Sequence, residues 1–88
     1  MAEKYDVIAR VISQKGTCAA GHKVGDEWLI GSKTPEGMCL SAFHTMFHYA
    51  RVLMFGGAFP WSNDPDATTA ACPDAANPVV FEIRRVKK

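Results

Sequence analysis

Met38-Cys39-Leu40-Ser41-Ala42-Phe43-His44-Thr45-Met46-Phe47-His48-Tyr49-Ala50-Arg51-Val52-Leu53-Met54-Phe55 is the stretch that decides the fold of this 88-residue chain. Cys39, Phe43, Met46, Phe47, Ala50, Leu53 and Met54 recur at the three- and four-residue spacing that gathers side chains onto one face of a helix. The periodicity predicts one long amphipathic helix from about Met38 to Phe55, with Ser41 as an alternative cap. Gly56-Gly57 ends it, because glycine accepts the backbone conformations that close a helix. No other segment carries so long a helical period.

On either side the period changes. Tyr5, Val7, Ala9 and Val11 alternate with Asp6, Ile8, Arg10 and Ile12, and near the end of the chain Val79, Phe81 and Ile83 alternate with Val80, Glu82 and Arg84. A period of two in β-branched residues predicts strands. The matching patterns suggest that the first and last strands pair in one sheet against the helix. Glu27-Trp28-Leu29-Ile30 reads as a short middle strand and Gly31 to Gly37 as a loop. Ser62 to Asp66 reads as a polar loop, Ala67 to Ala71 as an added turn of helix, and Cys72-Pro73-Asp74 as a turn. The expectation is a single α+β domain over residues 1–88, a small mainly antiparallel sheet of N-terminal, middle and C-terminal strands packed on one long helix.

Composition excludes several classes of function. The net charge is +1, and the positive excess lies in Arg84-Arg85-Val86-Lys87-Lys88, which reads as a solvated strand end. No basic stripe interleaves with aromatic residues, so no nucleic acid is expected as a partner. No apolar run approaches the length of a membrane span and the N-terminus has no secretory pattern, which predicts a cytoplasmic protein with no membrane contact. In a reducing compartment an odd number of cysteines argues against a disulfide framework.

Those cysteines carry the chemistry. Cys18, Cys39 and Cys72 each sit beside a residue that bends or anchors the backbone, and Cys18-x3-His22 adds an imidazole to the first turn. Three thiolates and one imidazole make a four-coordinate donor set for zinc or an iron–sulfur cluster. Free amides at the ends of elements, and the helix N-terminus beside Cys39, would favour thiolate sulfur. Alternatively, the three are small buried residues filling gaps between sheet and helix.

The strings Thr17-Cys18-Ala19-Ala20-Gly21-His22-Lys23-Val24-Gly25-Asp26-Glu27-Trp28, Thr34-Pro35-Glu36-Gly37-Met38-Cys39-Leu40-Ser41-Ala42-Phe43, Gly56-Gly57-Ala58-Phe59-Pro60-Trp61 and Ala71-Cys72-Pro73-Asp74 resemble, end to end, a family of small uncharacterised prokaryotic Cys/His proteins of about this length that recur in anaerobes. The family's motif includes the positions matching Cys18, Gly21, His22, Gly25, Asp26, Cys39, Pro60, Trp61, Cys72 and Pro73. The resemblance implies no activity. It implies a thiol-rich site in a low-oxygen cell, which favours an iron–sulfur cluster over zinc.

His44 and His48 form a second constellation, an i, i+4 pair on one helix face. At about 100° per residue His48 lies roughly 180° around the helix from Cys39, so the pair and the cysteines are separate candidates. The simpler assignment for the pair is a solvated helix flank with Leu40 and Arg51. Asp26 and Asp74 read as turn caps, and Trp28 and Trp61 as core or rim aromatics. Asp26, Trp61, His44 and His48 remain possible accessory residues.

No nucleophile elbow, phosphate loop or dinucleotide fingerprint is present, so no catalytic motif is recognised. The leading expectation is a small cytoplasmic metal-binding or iron–sulfur protein, an electron-transfer or accessory protein of anaerobic metabolism, in which Cys18, His22, Cys39 and Cys72 are the metal ligands. It would assemble as a homo-oligomer or on a larger redox enzyme. The alternative is a metal-free interaction or ligand-binding module with structural cysteines, self-associating through aromatic loops. A thiol-dependent enzyme using Cys18 or Cys39 ranks third.

Overall fold

The computed structural model of the chain describes residues 5–86. Its elements run β1 (Asp6–Gln14), β2 (Glu27–Ile30), α1 (Leu40–Met54), β3 (Ala67–Ala71) and β4 (Val79–Val86). The strands form one antiparallel sheet in the order β2-β1-β4-β3, with α1 across one face. The fold is therefore α+β, and the first and last strands pair at the centre of the sheet. The helix has 15 residues.

Alternation explains the core. Val7, Ala9 and Val11 of β1, and Val79, Phe81 and Ile83 of β4, point to the helix and are almost completely buried. They meet Ala42, Met46, Ala50, Leu53 and Met54 of α1. The small side chains of Ala42 and Ala50 sit on the inner stripe, so the helix packs close to the sheet. Phe43 is displaced to the margin and Phe47 is 42% exposed. The buried stripe is thus turned by only about 30° around the helix from the one the sequence period suggested, Ala42 replacing Cys39, Phe43 and Phe47.

Two expectations are corrected. Ala67 to Ala71 is not a turn of helix but the edge strand β3, paired with β4 through Thr68↔Ile83 and Ala70↔Phe81. Its backbone hydrogen bonds come from a neighbour, and residues this small leave no period of their own. Nor is Arg85, among the C-terminal cations, part of a solvated strand end. Arg85 continues the inward alternation of Phe81 and Ile83. Its guanidinium donates to the Leu53, Gly57 and Pro65 carbonyls and to the Asp66 carboxylate, tying the end of α1 to the start of β3. Arg84, on the outer face, pairs with Glu82 and Asp64. Lys87 and Lys88 lie outside the described residues.

The topology positions the cysteines. β1 runs toward one end of the sheet and β2 away from it, and β3 and β4 repeat that pair of directions. The β1–β2 connection carrying Cys18 and His22, and the β3–β4 turn carrying Cys72, therefore share one end. Phe43 N–H bonds the Cys39 carbonyl, so α1 starts at Cys39, and that start lies at the same end. A β-bulge at Ile12 shifts the β1–β4 register between Val11 and Ser13, next to the connection that carries Cys18.

Candidate functional site

Cys18, His22, Cys39 and Cys72 line one cavity of about 320 Å³, floored by Phe81. Three connections far apart in the chain supply them, and two polar side chains brace those connections. His22, buried in the wall, accepts the backbone N–H of Cys39 on Nε2 at 2.9 Å, across seventeen residues. Its ring packs edge-on against Trp28, centroids 4.7 Å apart. Because Nε2 accepts, a neutral His22 carries its proton on Nδ1. The imidazole therefore fixes where the helix starts.

The second brace is Asn77, a residue the sequence reading did not single out. Its side-chain carbonyl accepts Thr17 N–H at 2.9 Å, across sixty residues, fastening the Cys18 turn to the Cys72 turn. Asp74 holds Asn77 in turn, accepting its backbone and side-chain N–H groups as well as Ala76 N–H. The spacing Asp74-x2-Asn77 is the only trace of this brace in the sequence. Gly16 makes it possible: it has φ +67°, and a Cβ there would run into the Asn77 side chain.

Each thiol has a defined setting. Gly21 N–H returns to the Cys18 carbonyl at 3.0 Å, closing the tight turn that presents Cys18 and buries His22. Cys72 sulfur receives Val79 N–H at 3.3 Å, the kind of backbone donor that stabilises sulfur bearing negative charge. Cys39 is the N-cap of α1, makes no side-chain cap bond, and has no acidic residue in the following turn. The positive end of the helix dipole beside the cavity is thus uncompensated, which favours negative charge there. All three cysteines are free and partly exposed. Among the described residues, no three His, Cys, Asp or Glu side chains stand close enough together to grip one ion as they are now placed.

The accessory candidates lie elsewhere. His44 and His48 are exposed on the outer helix flank; His44 lines a neighbouring cleft with Leu40, Ser41 and Pro73, and His48 packs edge-on against Phe47. The Asp26 carboxylate accepts Lys23 N–H at 3.1 Å and does not line the cavity. Trp61 is 65% exposed, stacks on Phe59 at 4.9 Å and donates to the Thr68 hydroxyl, away from the thiols. No helix among the described residues is long and apolar enough to cross a membrane. Comparison of the chain with family models, curated proteins and solved structures gave no significant match.

Proposed function

We propose that the cavity is a thiolate site for a soft metal centre, a zinc ion or an iron–sulfur cluster, in a cytoplasmic protein serving electron transfer or a larger enzyme of anaerobic metabolism. What carries this reading is the meeting of Cys18, Cys39 and Cys72 around one space. Thiolates are the preferred donors of zinc and of iron–sulfur clusters. The Val79 amide on Cys72 sulfur and the uncapped start of α1 suit the excess negative charge of a metal–thiolate group. Binding would draw inward the turns that carry Cys18 and Cys72, neither of which belongs to a helix or strand.

The test is anaerobic purification followed by absorption spectroscopy with iron, sulfide and zinc analysis. A brown protein with iron and sulfide identifies a cluster, and a colourless one with stoichiometric zinc identifies a zinc site. A metal-free protein whose three Cys→Ser variants all keep wild-type stability overturns both.

A second reading is a metal-free pocket for a small apolar ligand. It is favoured by the volume, which lies at the lower end of the range for small-molecule pockets, and by the present spacing of the candidate ligands. Metal analysis separates the two readings directly.

A further inference from the structure

We infer that two copies of the chain pair through β3, antiparallel about a two-fold axis at Ala70, so that their sheets join into one continuous sheet. The pairing is independent of what the thiol cavity holds.

β3 is an edge strand without the protection that edges ordinarily carry. The order β2-β1-β4-β3 leaves one side of it open. Charge, proline, a bulge or shortness blunts most edges. Ala67-Thr68-Thr69-Ala70-Ala71 is uncharged, has no proline and pairs with β4 in unbroken register. β2, at the other edge, has only four residues and begins with Glu27.

The hydrogen bonds fix which backbone groups of β3 face outward. Arg85 N–H donates to the Asp66 carbonyl at 2.7 Å and Cys72 N–H to the Val79 carbonyl at 2.9 Å. Bonding alternates along an antiparallel ladder, so Thr68 and Ala70 also turn their backbone groups to β4, and Ala67, Thr69 and Ala71 turn theirs to the open side. Ala67 is already served within the chain: its N–H donates to the Asp64 carbonyl at 3.3 Å and its carbonyl accepts from the Ser62 hydroxyl at 2.6 Å. Thr69 and Ala71 are exposed, and their N–H and C=O groups meet no partner among the described residues.

A second copy satisfies all of them. With the axis at Ala70, Thr69 stands opposite the partner's Ala71 and Ala71 opposite the partner's Thr69, and each pair exchanges two N–H···O bonds. An axis at Thr69 would set Ala71 opposite the occupied groups of Ala67. One at Ala71 would set Thr69 opposite Pro73, which has no N–H. Only the Ala70 register leaves Ala67, whose carbonyl needs no donor, facing Pro73, which offers none. The side chain on the axis is then a methyl group, small enough for close approach.

Trp61 stands beside this edge. It is 65% exposed, yet its Nε1–H donates to the Thr68 hydroxyl at 3.2 Å and its ring stacks on Phe59. A fixed, exposed aromatic ring is the kind of residue that anchors an interface. The register sets the partner's Cys72 opposite Thr68, so Trp61 lies beside a turn that lines the other copy's thiol cavity.

The experiment uses the full chain, kept reduced so that no disulfide joins the copies. Sedimentation equilibrium should show a monomer–dimer equilibrium, and the amide exchange of Thr69 and Ala71 should slow as the dimer fills. Thr69→Lys combined with Ala71→Lys sets lysine against lysine on both sides of the axis and should leave a folded monomer. Thr69→Lys combined with Ala71→Glu sets lysine against glutamate and should dimerise at least as tightly as the wild type. Trp61→Ala should weaken the dimer about 10-fold. A chain that stays monomeric up to about 1 mM overturns the pairing. So does a dimer that survives the double lysine change, or one in which the Thr69 and Ala71 amides exchange as fast as in the monomer.

Discussion

Removing the Arg85 side chain is predicted to be among the most damaging single changes in the molecule, although it lies at the opposite end from the thiols. The Arg85 side chain is only 11% exposed, and its guanidinium reaches four groups on three segments. It donates to Leu53 O at 3.0 Å, Gly57 O at 2.9 Å and Pro65 O at 2.9 Å, and to Asp66 Oδ1 at 2.8 Å. The Leu53 and Gly57 bonds are partly buried and dominate. Charge-assisted bonds of this kind contribute about 1.5–3 kcal/mol each. The Pro65 and Asp66 bonds face water, so each is worth about 0–1 kcal/mol. Leu53 O keeps one other donor, Gly56 N–H, after truncation, which lowers the cost. The balance for Arg85→Ala is a loss of about 3 kcal/mol, a large share of the roughly 5–10 kcal/mol available to a domain of this size.

Urea denaturation measures that loss as a fall in midpoint at constant slope. In a thermal melt it corresponds to about 12–24 °C. Asp66→Ala should cost less than about 1 kcal/mol, because its ion pair is exposed while the carbonyl contacts of Arg85 survive. Arg85→Lys should recover only part of the loss, since one ammonium cannot span four acceptors. A loss below about 1 kcal/mol in Arg85→Ala would refute the assignment of stability to the buried carbonyls. So would an Asp66→Ala variant as damaged as Arg85→Ala. With α1 spanning about 22 Å, a folded Arg85 variant should keep wild-type thiol chemistry and so serve as a control for the site variants.

Asn77→Ala should cost only about 1 kcal/mol in stability, because the Thr17 amide it releases is exposed, yet it should raise the alkylation rates of Cys18 and Cys72 relative to Cys39; equal rises at all three cysteines count against its role as a brace. Gly16→Ala should destabilise more than Gly21→Ala in urea melts: both positions have positive φ, but only at Gly16 does a Cβ meet the Asn77 side chain, the other opening into free space. Asp64 has a carboxyl held below its ordinary value by the Asp66 amide and then by Arg84, so its ionised form favours the folded state. The resulting stability is fully present above the unfolded aspartate pKa, near ~3.9, and is lost as pH falls through the lower folded value. The gap in melting temperature between wild type and Asp64→Asn should therefore close in strong acid and be constant near neutrality.

Much of the fold was legible because its signals are local. The alternation of Val7, Ala9 and Val11, and of Val79, Phe81 and Ile83, marks two strands with one buried face each, and the Met38–Phe55 period marks the helix. Arg85 was legible too had the same alternation been followed two residues beyond Ile83. β3 was not, because Ala67-Thr68-Thr69-Ala70-Ala71 has neither period nor bulk and is a strand only through its pairing with β4. At the site, the candidate thiols could be named from their turns. The work of His22 could not, since its partner is an amide seventeen residues away and a backbone amide leaves no mark in a sequence.

The convergence of the cysteines follows mostly from β3. If Ala67 to Ala71 were helical, nothing would fix the end at which Cys72 emerges. As an antiparallel strand beside β4 it must deliver Cys72 to the end where β1 delivers Cys18. Emerging at one end of the sheet is thus a consequence of topology, whereas lining one cavity there is not. Topology does not require the braces. Any solvated turn could join β3 to β4, yet this one uses Asp74 to hold Asn77 and Asn77 to hold the Thr17 amide. Any Ser, Thr or Asp could cap α1, yet Cys39 stands there uncapped, with its amide fixed by a buried imidazole. A fold needing only stability would have the ordinary cap, worth about 1 kcal/mol. Replacing Cys39 by Ser should therefore stabilise the metal-free chain in a urea melt while removing a ligand. A Cys39→Ser protein that is less stable than the metal-free wild type would mean that the sulfur is there for packing.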